Sequence, residues 1–414
     1  MRSVIFFLSG LLLLFSCGSS DSASSQPEES FLDSVDAPVR GTYGYDFHFL
    51  KKHETGIVEL KSPDRKSSVL VSPKYQGRVM TSTALGADGA SFGWINHELI
   101  GTGIFKSQFN PVGGEERFWL GPEGGPFALY FKKGDPFDIA HWQVPAILDT
   151  IAYNVIKVAD DKVDMAQNGS ITNYHGFRFD FQIERSVQLM SRSAIQQRLH
   201  IEIPAAINLV GYETVNSIRN AGDKQWLKES GLMSIWLLGM FPPSDSSTVI
   251  IPYNSVNGTK QGITDNYFGK IPEGRLRVED NLIYLNCDGK WRSKIGLSPA
   301  IAQNIAAAVD LKNNILHVVY LNVDRHGAYV NSLWEDQKNP YGGDVINAYN
   351  DGPLADGKQL GPFFEIESSS AAKELMPGEK QEYRQMTCHF QGSYAEIKKL
   401  AEDILGVDIG KLKK

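Results

Sequence analysis

The sequence predicts an all-β fold: a large antiparallel β-sandwich of two sheets, closed by a C-terminal helix. Three observations carry this reading. Phe177, Phe179, Phe181, Ile183, Val187 and Leu189 interleave with Arg178, Asp180, Gln182, Glu184 and Gln188, the period-two pattern of a strand with one face on a core. Turn pairs punctuate such stretches at Asn168-Gly169, Asn257-Gly258, Asp288-Gly289 and Pro377-Gly378. Strands do not alternate with amphipathic helices, and no glycine-rich phosphate loop follows a strand, which sets aside a doubly wound α/β fold.

Further strands are read at residues 68–72, 78–80, 127–131, 153–158, 249–251 and 316–321. Asp160-Asp161-Lys162 is expected to join two strands as a hairpin. Residues 300–311 stay open: their alanines favour helix, while the all-β surroundings favour strand. The clearest helix is C-terminal. Ser393 and Glu396 form a capping box, Tyr394, Ile397, Leu400, Ala401, Ile404 and Leu405 make an apolar stripe at helical spacing, and Gly406 stops it. The stripe suits packing on the outside of a sheet. No repeat or break in composition divides the body, so residues 40–414 read as one domain.

The amino terminus has its own organisation. Arg2 precedes an apolar run at residues 4–15, too short to cross a bilayer, and the run ends at Leu14-Phe15-Ser16-Cys17. This resembles the lipobox of bacterial lipoproteins. Residues 1–16 would then be a signal peptide and Cys17 the lipidated residue, with an ordinary secretory signal as the alternative. Residues 17–39 are rich in Ser, Glu and Asp and are expected to form a disordered tether. Lipidation implies a cell-envelope location, with the body anchored to the membrane only through the N-terminal lipid. If Cys17 is lipidated, Cys287 and Cys388 remain and could pair. The formal net charge of −7, spread along the chain, argues against nucleic acid as a partner.

Candidate chemistry concentrates in a few segments. Residues 113–125, Gly-Gly-Glu-Glu-Arg-Phe-Trp-Leu-Gly-Pro-Glu-Gly-Gly, set Arg117, Trp119 and Glu123 among five glycines. An indole offers an apolar face to sugar C–H groups, and charged groups bond hydroxyls, so a carbohydrate site is expected; a structural turn is the alternative. His141 sits beside Trp142, and His97, His175 and Asp324-Arg325-His326 are weaker candidates. On a strand, Glu365 and Glu367 project the same way, and close like charges raise one carboxyl's pKa, which suits acid/base work; an exposed face with solvated glutamates is the alternative. No cofactor is implied. No His-x-x-x-His, His-Glu-x-x-His or zinc-spaced Cys pair points to a metal, although an oxygen-ligand calcium site stays open.

Several segments resemble the galactose mutarotase-like superfamily. They are Val69-Leu-Val-Ser-Pro-Lys-Tyr-Gln-Gly-Arg-Val, Asn216-Ser-Ile-Arg-Asn-Ala-Gly222, and Phe364-Glu-Ile-Glu367 followed by Leu375-Met-Pro-Gly-Glu379. They fall in the family's order across residues 57–391, and the chain is similar to a branch found among Bacteroidetes-type lipoproteins. The resemblance implies the family's supersandwich and places Glu365 at the base of aldose 1-epimerases. The histidine acid has no counterpart, because no His lies between His200 and His317; either His141, His175 or His317 serves, or epimerase chemistry is absent. The sequence thus supports a membrane-anchored carbohydrate-binding lipoprotein with Glu365 and His141 as candidate catalytic residues and Arg117, Trp119, Glu123 and Glu367 as candidate ligands of the sugar. A sugar-active enzyme and a non-catalytic interaction lipoprotein are the alternatives.

Overall fold

A computed structural model of the chain describes residues 39–412 apart from 257, 258, 280 and 355. The expected signal peptide, Cys17, the tether up to residue 38 and the Asn257-Gly258 turn lie outside the described residues.

Two large antiparallel sheets face each other, as the hydrophobic alternation requires. The ten-stranded sheet runs, edge to edge, Leu276–Glu279, Leu282–Asn286, Ser247–Pro252, Ile305–Asp310, Ile315–Leu321, Lys380–Gln391, Asn208–Asn220, Arg178–Leu189, Lys162–Thr172 and Asn154–Val158. The six-stranded sheet runs Ile263–Thr264, Ser293–Leu297, Ile346–Asn350, Phe364–Ser369, Ser234–Phe241 and Arg117–Gly121. A third sheet of three strands, Val58–Lys61, Ser68–Ser72 and Arg78–Thr83, meets the six-stranded one through the antiparallel bridge between Val79 and Glu116. The large antiparallel β-sandwich with a C-terminal helix expected from the sequence is the observed architecture.

Alternation decides what each face packs against. Ile183, Val187, Val249 and Ile251 of the large sheet point inward to meet Phe118, Leu237, Phe364 and Ile366 of the smaller one. The intervening Ile250, Leu316, Val318 and Phe390 point outward, where Ile397, Leu400, Ala401 and Leu405 of the C-terminal helix Tyr394–Leu405 cover them. That helix opens on the expected capping box and stops at Gly406 in the left-handed region, φ 67°.

Four readings need correction or completion. Asn168-Gly169 is not a turn: it continues the strand Lys162–Thr172, and a Cβ on Gly169 would lie 2.8 Å from Ile147. A side chain is excluded there by packing, not by backbone twist. Residues 127–131 form no strand; Ala128 and Leu129 instead donate to the carbonyls of Gly125 and Pro122 in a local turn. Residues 300–311 resolve as the strand Ile305–Asp310, with Ala306, Ala307 and Ala308 fully buried where larger side chains would not fit. An N-terminal helix, Tyr43–His53, was not expected. Thr42 caps it by accepting from the Tyr45 amide, and Tyr43, Asp46 and Leu50 form its buried side. Asp160-Asp161-Lys162 does close a hairpin, between Asn154–Val158 and Lys162–Thr172. Cys287 and Cys388 are free and buried in separate apolar clusters.

Two of the segments that carried the resemblance meet in space. Asn220 donates to the carbonyls of Lys224 and Leu375 and accepts from the Gly222 amide, while Gly378 donates to the Asn220 carbonyl. The asparagine element and the Leu375–Glu379 turn therefore clamp one corner of the large sheet.

Candidate functional site

Residues directly opposite each other in an antiparallel sheet share a face. In the six-stranded sheet, Arg117 pairs with Leu238, Leu238 with Glu367, and Glu367 with Asn347. One step along, Met240 pairs with Glu365, Glu365 with Tyr349, and Tyr349 with Lys294; on the other side, Trp119 pairs with Trp236. The face of this sheet turned away from the large sheet, its outer face, is therefore a polar and aromatic row; it is covered in turn, with Trp119 and Trp236 buried and Trp119 packed on Tyr130 and Trp142.

The side chains of the row bind one another. Arg117 Nη2 donates to Glu365 Oε1 at 3.0 Å, and its guanidinium lies 4.1 Å from the Trp119 ring centroid. Glu367 Oε2 accepts from Lys294 Nζ at 2.9 Å and from Trp236 Nε1 at 3.0 Å. Trp119 and Trp236 meet edge to face at 5.6 Å. Tyr267 closes the far end by donating to Asp344 Oδ2 at 2.6 Å and accepting from Asn347 Nδ2 at 3.2 Å. Arg78 stands opposite Arg117, because the Val79–Glu116 bridge fixes that register. Glycine makes this approach possible: a Cβ on Gly114, at φ 110°, would meet Arg78 Cδ at 2.6 Å.

Burial sets the electrostatics. It raises the Glu365 carboxyl to about 7, opposed in part by Arg117 and assisted by Glu367. It also raises Asp344 to about 6 and lifts Glu123. For Lys294, burial disfavours the charge, but Glu367 and Glu123 outweigh it and the net shift is upward. A group near 7 can give or take a proton at neutral pH.

Hydrogen bonding within the protein does not use up the row. Arg117 Nε and Nη1, Glu367 Oε1 and Ser234 Oγ are buried without a protein partner, as are Nε and Nη2 of Arg78. Two shallow depressions mark the surface. One, of about 140 Å³, is lined by Phe268, Lys270, Trp291, Arg292 and Pro353, and Arg292 reaches from it to the Tyr349 hydroxyl at 3.3 Å. The other, of about 470 Å³, lies along Ser107, Gln108 and residues 139–143.

Of the expected site residues, Arg117, Trp119, Glu365 and Glu367 come together. Both glutamates are buried, so the solvated-face alternative falls away. Glu123 reaches the row from a loop: Trp142 Nε1 donates to its Oε1 at 2.9 Å, and it feels the charges of Lys294 and Glu367. His141 stands apart, exposed and bonded to Asp138 at 2.7 Å, because its neighbour Trp142 takes the inward position. His175 is an exposed residue against Phe127, and His97 pairs with Asp46. Arg325 bonds the carbonyls of Pro299 and Ala300. His317 lies on the opposite side of the sheet, between the layers, against His389 and Phe241. Sequence reasoning missed Lys294, Trp236, Asn347, Tyr267 and Arg78. A lysine inside the apolar strand Ser293–Leu297 was the available signal. Among the described residues no group of three or more His, Cys, Asp or Glu side chains is placed to hold a metal ion.

Comparison with known proteins bears on this geometry in two ways. The sequence model of a family of unknown function, DUF6786, matches residues 41–414, so the chain belongs to that family. No curated protein matches the chain. Solved structures with a similar fold include the Slr1438 protein from Synechocystis sp. PCC 6803, at 13% identity and TM-score 0.50, covering 81% of this chain and 96% of that one. A galactose mutarotase-like protein from Lactobacillus casei is 11% identical with TM-score 0.48, over 81% of this chain and 100% of the other. A galactose mutarotase related enzyme from Lactobacillus acidophilus is 11% identical with TM-score 0.44, over 80% and 97%. At such identities the likeness is one of fold.

Proposed function

We propose that this DUF6786 protein binds carbohydrate on the outer face of its six-stranded sheet, and that a lipid on Cys17 holds it at a membrane surface of the cell envelope. One observation carries the first part. An arginine stacked on an indole keeps two N–H groups unused, and a glutamate in the same row keeps an unused oxygen. Leaving such groups unmatched costs about 1–3 kcal/mol each, so a ligand that completes them binds with that gain. A saccharide matches the set: its C–H faces stack on indole, and its hydroxyls both donate and accept. The depression at Arg292 and Phe268 offers an approach from the Tyr349 end.

Isothermal titration against monosaccharides and oligosaccharides tests the reading. Saturable heat with at least one sugar, lost in Arg117→Ala, is the expected result. No heat with any sugar overturns it. Release of a Cys17→Ser variant from the membrane fraction tests the anchor separately.

A second reading is favoured by the proton affinity of Glu365. A carboxyl held near 7 beside an arginine suits proton transfer at a sugar ring, as in an epimerase. Among the described residues no histidine bonds or stacks on Glu365, so the proton donor of such a reaction would come from another residue type. Polarimetry on fresh anomers decides: acceleration by wild type and not by Glu365→Gln supports catalysis, and equal rates with and without protein exclude it.

A further inference from the structure

One rim of the protein exposes several apolar side chains, of which Phe105 leans on the buried Tyr75. The loop from Gly101 to Gln108 is exposed throughout, and its tip carries Ile104 at 68% exposure and Phe105 at 42%. Ile139, at 62%, adjoins it, because Gln108 Nε2 donates to the Ile139 carbonyl. Ile151, at 43%, is joined to the same rim by Gln76, which donates to the carbonyls of both Ile151 and Lys74.

Lysines surround these residues. Lys74 Nζ lies 5.8 Å from the Phe105 ring and donates to the carbonyl of His53, the last residue of the helix Tyr43–His53. Lys51 and Lys52 are exposed on that helix's last turn, and Lys106 follows the apolar tip. None of the four is ion-paired among the described residues, although other surface lysines are. Neighbouring acids are mostly engaged. Glu54 and Asp149 are buried and hydrogen-bonded to Ser72 and Asn110, and Asp138 holds His141; Glu98 is the exposed acid on the adjoining helix.

We infer that this rim docks on an anionic lipid bilayer, with Ile104, Phe105 and Ile139 entering the interface and Lys51, Lys52, Lys74 and Lys106 lying among the headgroups. Apolar tips ringed by lysine suit a boundary that is greasy below and negatively charged above. A protein partner would not require unpaired positive charge around the apolar residues. Chain connectivity favours the same occupant. The inference rests on the anchor reading in one respect: residue 38, where the compact body begins, lies 21 residues from Cys17. A random coil of that length spans on average about 25 Å, so the tether expected from the sequence would be long enough for a lipid at Cys17 and the rim to meet one bilayer. Weak intrinsic affinity then suffices, since docking becomes intramolecular.

Vesicle cosedimentation tests the surface without the anchor. The probe is the chain from residue 38 onward, which holds every described strand and both main apolar clusters. Binding to phosphatidylcholine vesicles containing phosphatidylglycerol, and not to pure phosphatidylcholine, is expected, weakening as salt is added. Each lysine near the surface contributes about a fivefold factor, so Lys51→Glu with Lys52→Glu should weaken binding at least about twentyfold. Ile104→Ser with Phe105→Ser should also abolish retention, and both variants should keep the wild-type circular dichroism spectrum. Equal binding to neutral vesicles, no binding to either, or binding unchanged in both variants overturns the inference. Concentration-dependent dimerisation that is lost in Ile104→Ser/Phe105→Ser, without vesicle binding, overturns it in favour of a second copy of the chain. Failure of the anchor reading shows up differently, as release of Cys17→Ser and wild type alike; failure of the sugar reading leaves these vesicle results unchanged.

Discussion

Two polar constellations flank the strand around Arg117, and they are built on opposite terms. Between the sheets, Arg185 spends every nitrogen: Nε on the Gly77 carbonyl at 2.8 Å, Nη1 on Asn216 and Nη2 on Glu116 at 2.9 Å. Glu116 also accepts from Thr214 and Gln385, both at 2.7 Å. Nearby, Glu115 accepts from Ser82 and from His389, whose other nitrogen meets His317 at 2.7 Å. On the outer face, Arg117 and Glu367 keep unused bonding capacity. Residue types are nearly the same in both places. Completion distinguishes them: each polar side-chain atom of Arg185 and Glu116 has a partner, whereas Arg117 and Glu367 keep capacity that, in the function we propose, a ligand takes up. The paired sequence neighbours Glu116 and Arg117 thus belong to different networks, one complete within the protein and one that, in the function we propose, a ligand completes.

That contrast can be broken from either side. The largest effect is expected from Arg185→Leu, which removes the ion-pair partner of Glu116 in a sealed layer. Removing one partner of a buried pair costs about 3–5 kcal/mol, and calorimetry should record a Tm lowered by more than about 5 °C. Sugar affinity of the remaining folded protein should be unchanged; a selective loss of affinity would erase the distinction. Arg117→Ala should do the reverse, weakening sugar binding by at least about tenfold in titration calorimetry, the value of one charge-assisted bond, with a smaller fall in Tm.

A pH series sharpens the comparison. Glu365 ionises at about 7 in the folded chain against an ordinary 4.5. Its folded state holds the proton longer, so its stabilising contribution is present below 4.5 and is lost as pH rises toward 7. The loss is on the order of 3 kcal/mol at most. Denaturant titrations of Glu365→Gln should lack this decline, and an identical pH slope in the variant would refute the assignment. His317 behaves oppositely. Burial, then His389, holds it well below its usual 6.5, so its contribution is present above about 6.5 and is lost as pH falls from there toward the lower folded value. His317→Phe should blunt the acid-side decline in the same titrations. The smallest effect is expected from His141→Ala: an exposed residue outside both constellations should change stability by less than about 0.5 kcal/mol and leave sugar binding intact.

Much of the sandwich is legible in the sequence because alternation is local. The run from Arg178 to Leu189 and the stripe from Tyr394 to Leu405 announce their buried faces without reference to anything else. Arg117 and Glu365 were legible by composition, since charge among glycines or between phenylalanines is costly unless it is used. Their meeting across 248 positions was not. Trp236 was invisible for a different reason: Ser234–Phe241 is buried on both faces, so nothing in its pattern separates a core indole from one beside a carboxylate. His141 misled because it borrows its setting from Trp142: in the turn where both amides donate to the Asp138 carbonyl, the imidazole is exposed and the indole is buried. The helix at Tyr43 was hidden by its aromatics, which read as strand until Thr42 is recognised as a cap.

The two free thiols among the described residues have a practical consequence. Cys287 and Cys388 are enclosed in separate apolar clusters, and burial pushes both well above the ordinary thiol range, so neither presents a reactive thiolate while the sandwich is closed. Alkylation at either sulfur therefore counts excursions in which its own layer has come apart. Because Cys287 belongs to the cluster between the sheets and Cys388 to the one beneath the C-terminal helix, mass spectrometry of the two labelled peptides times the opening of those layers separately, with no introduced probe.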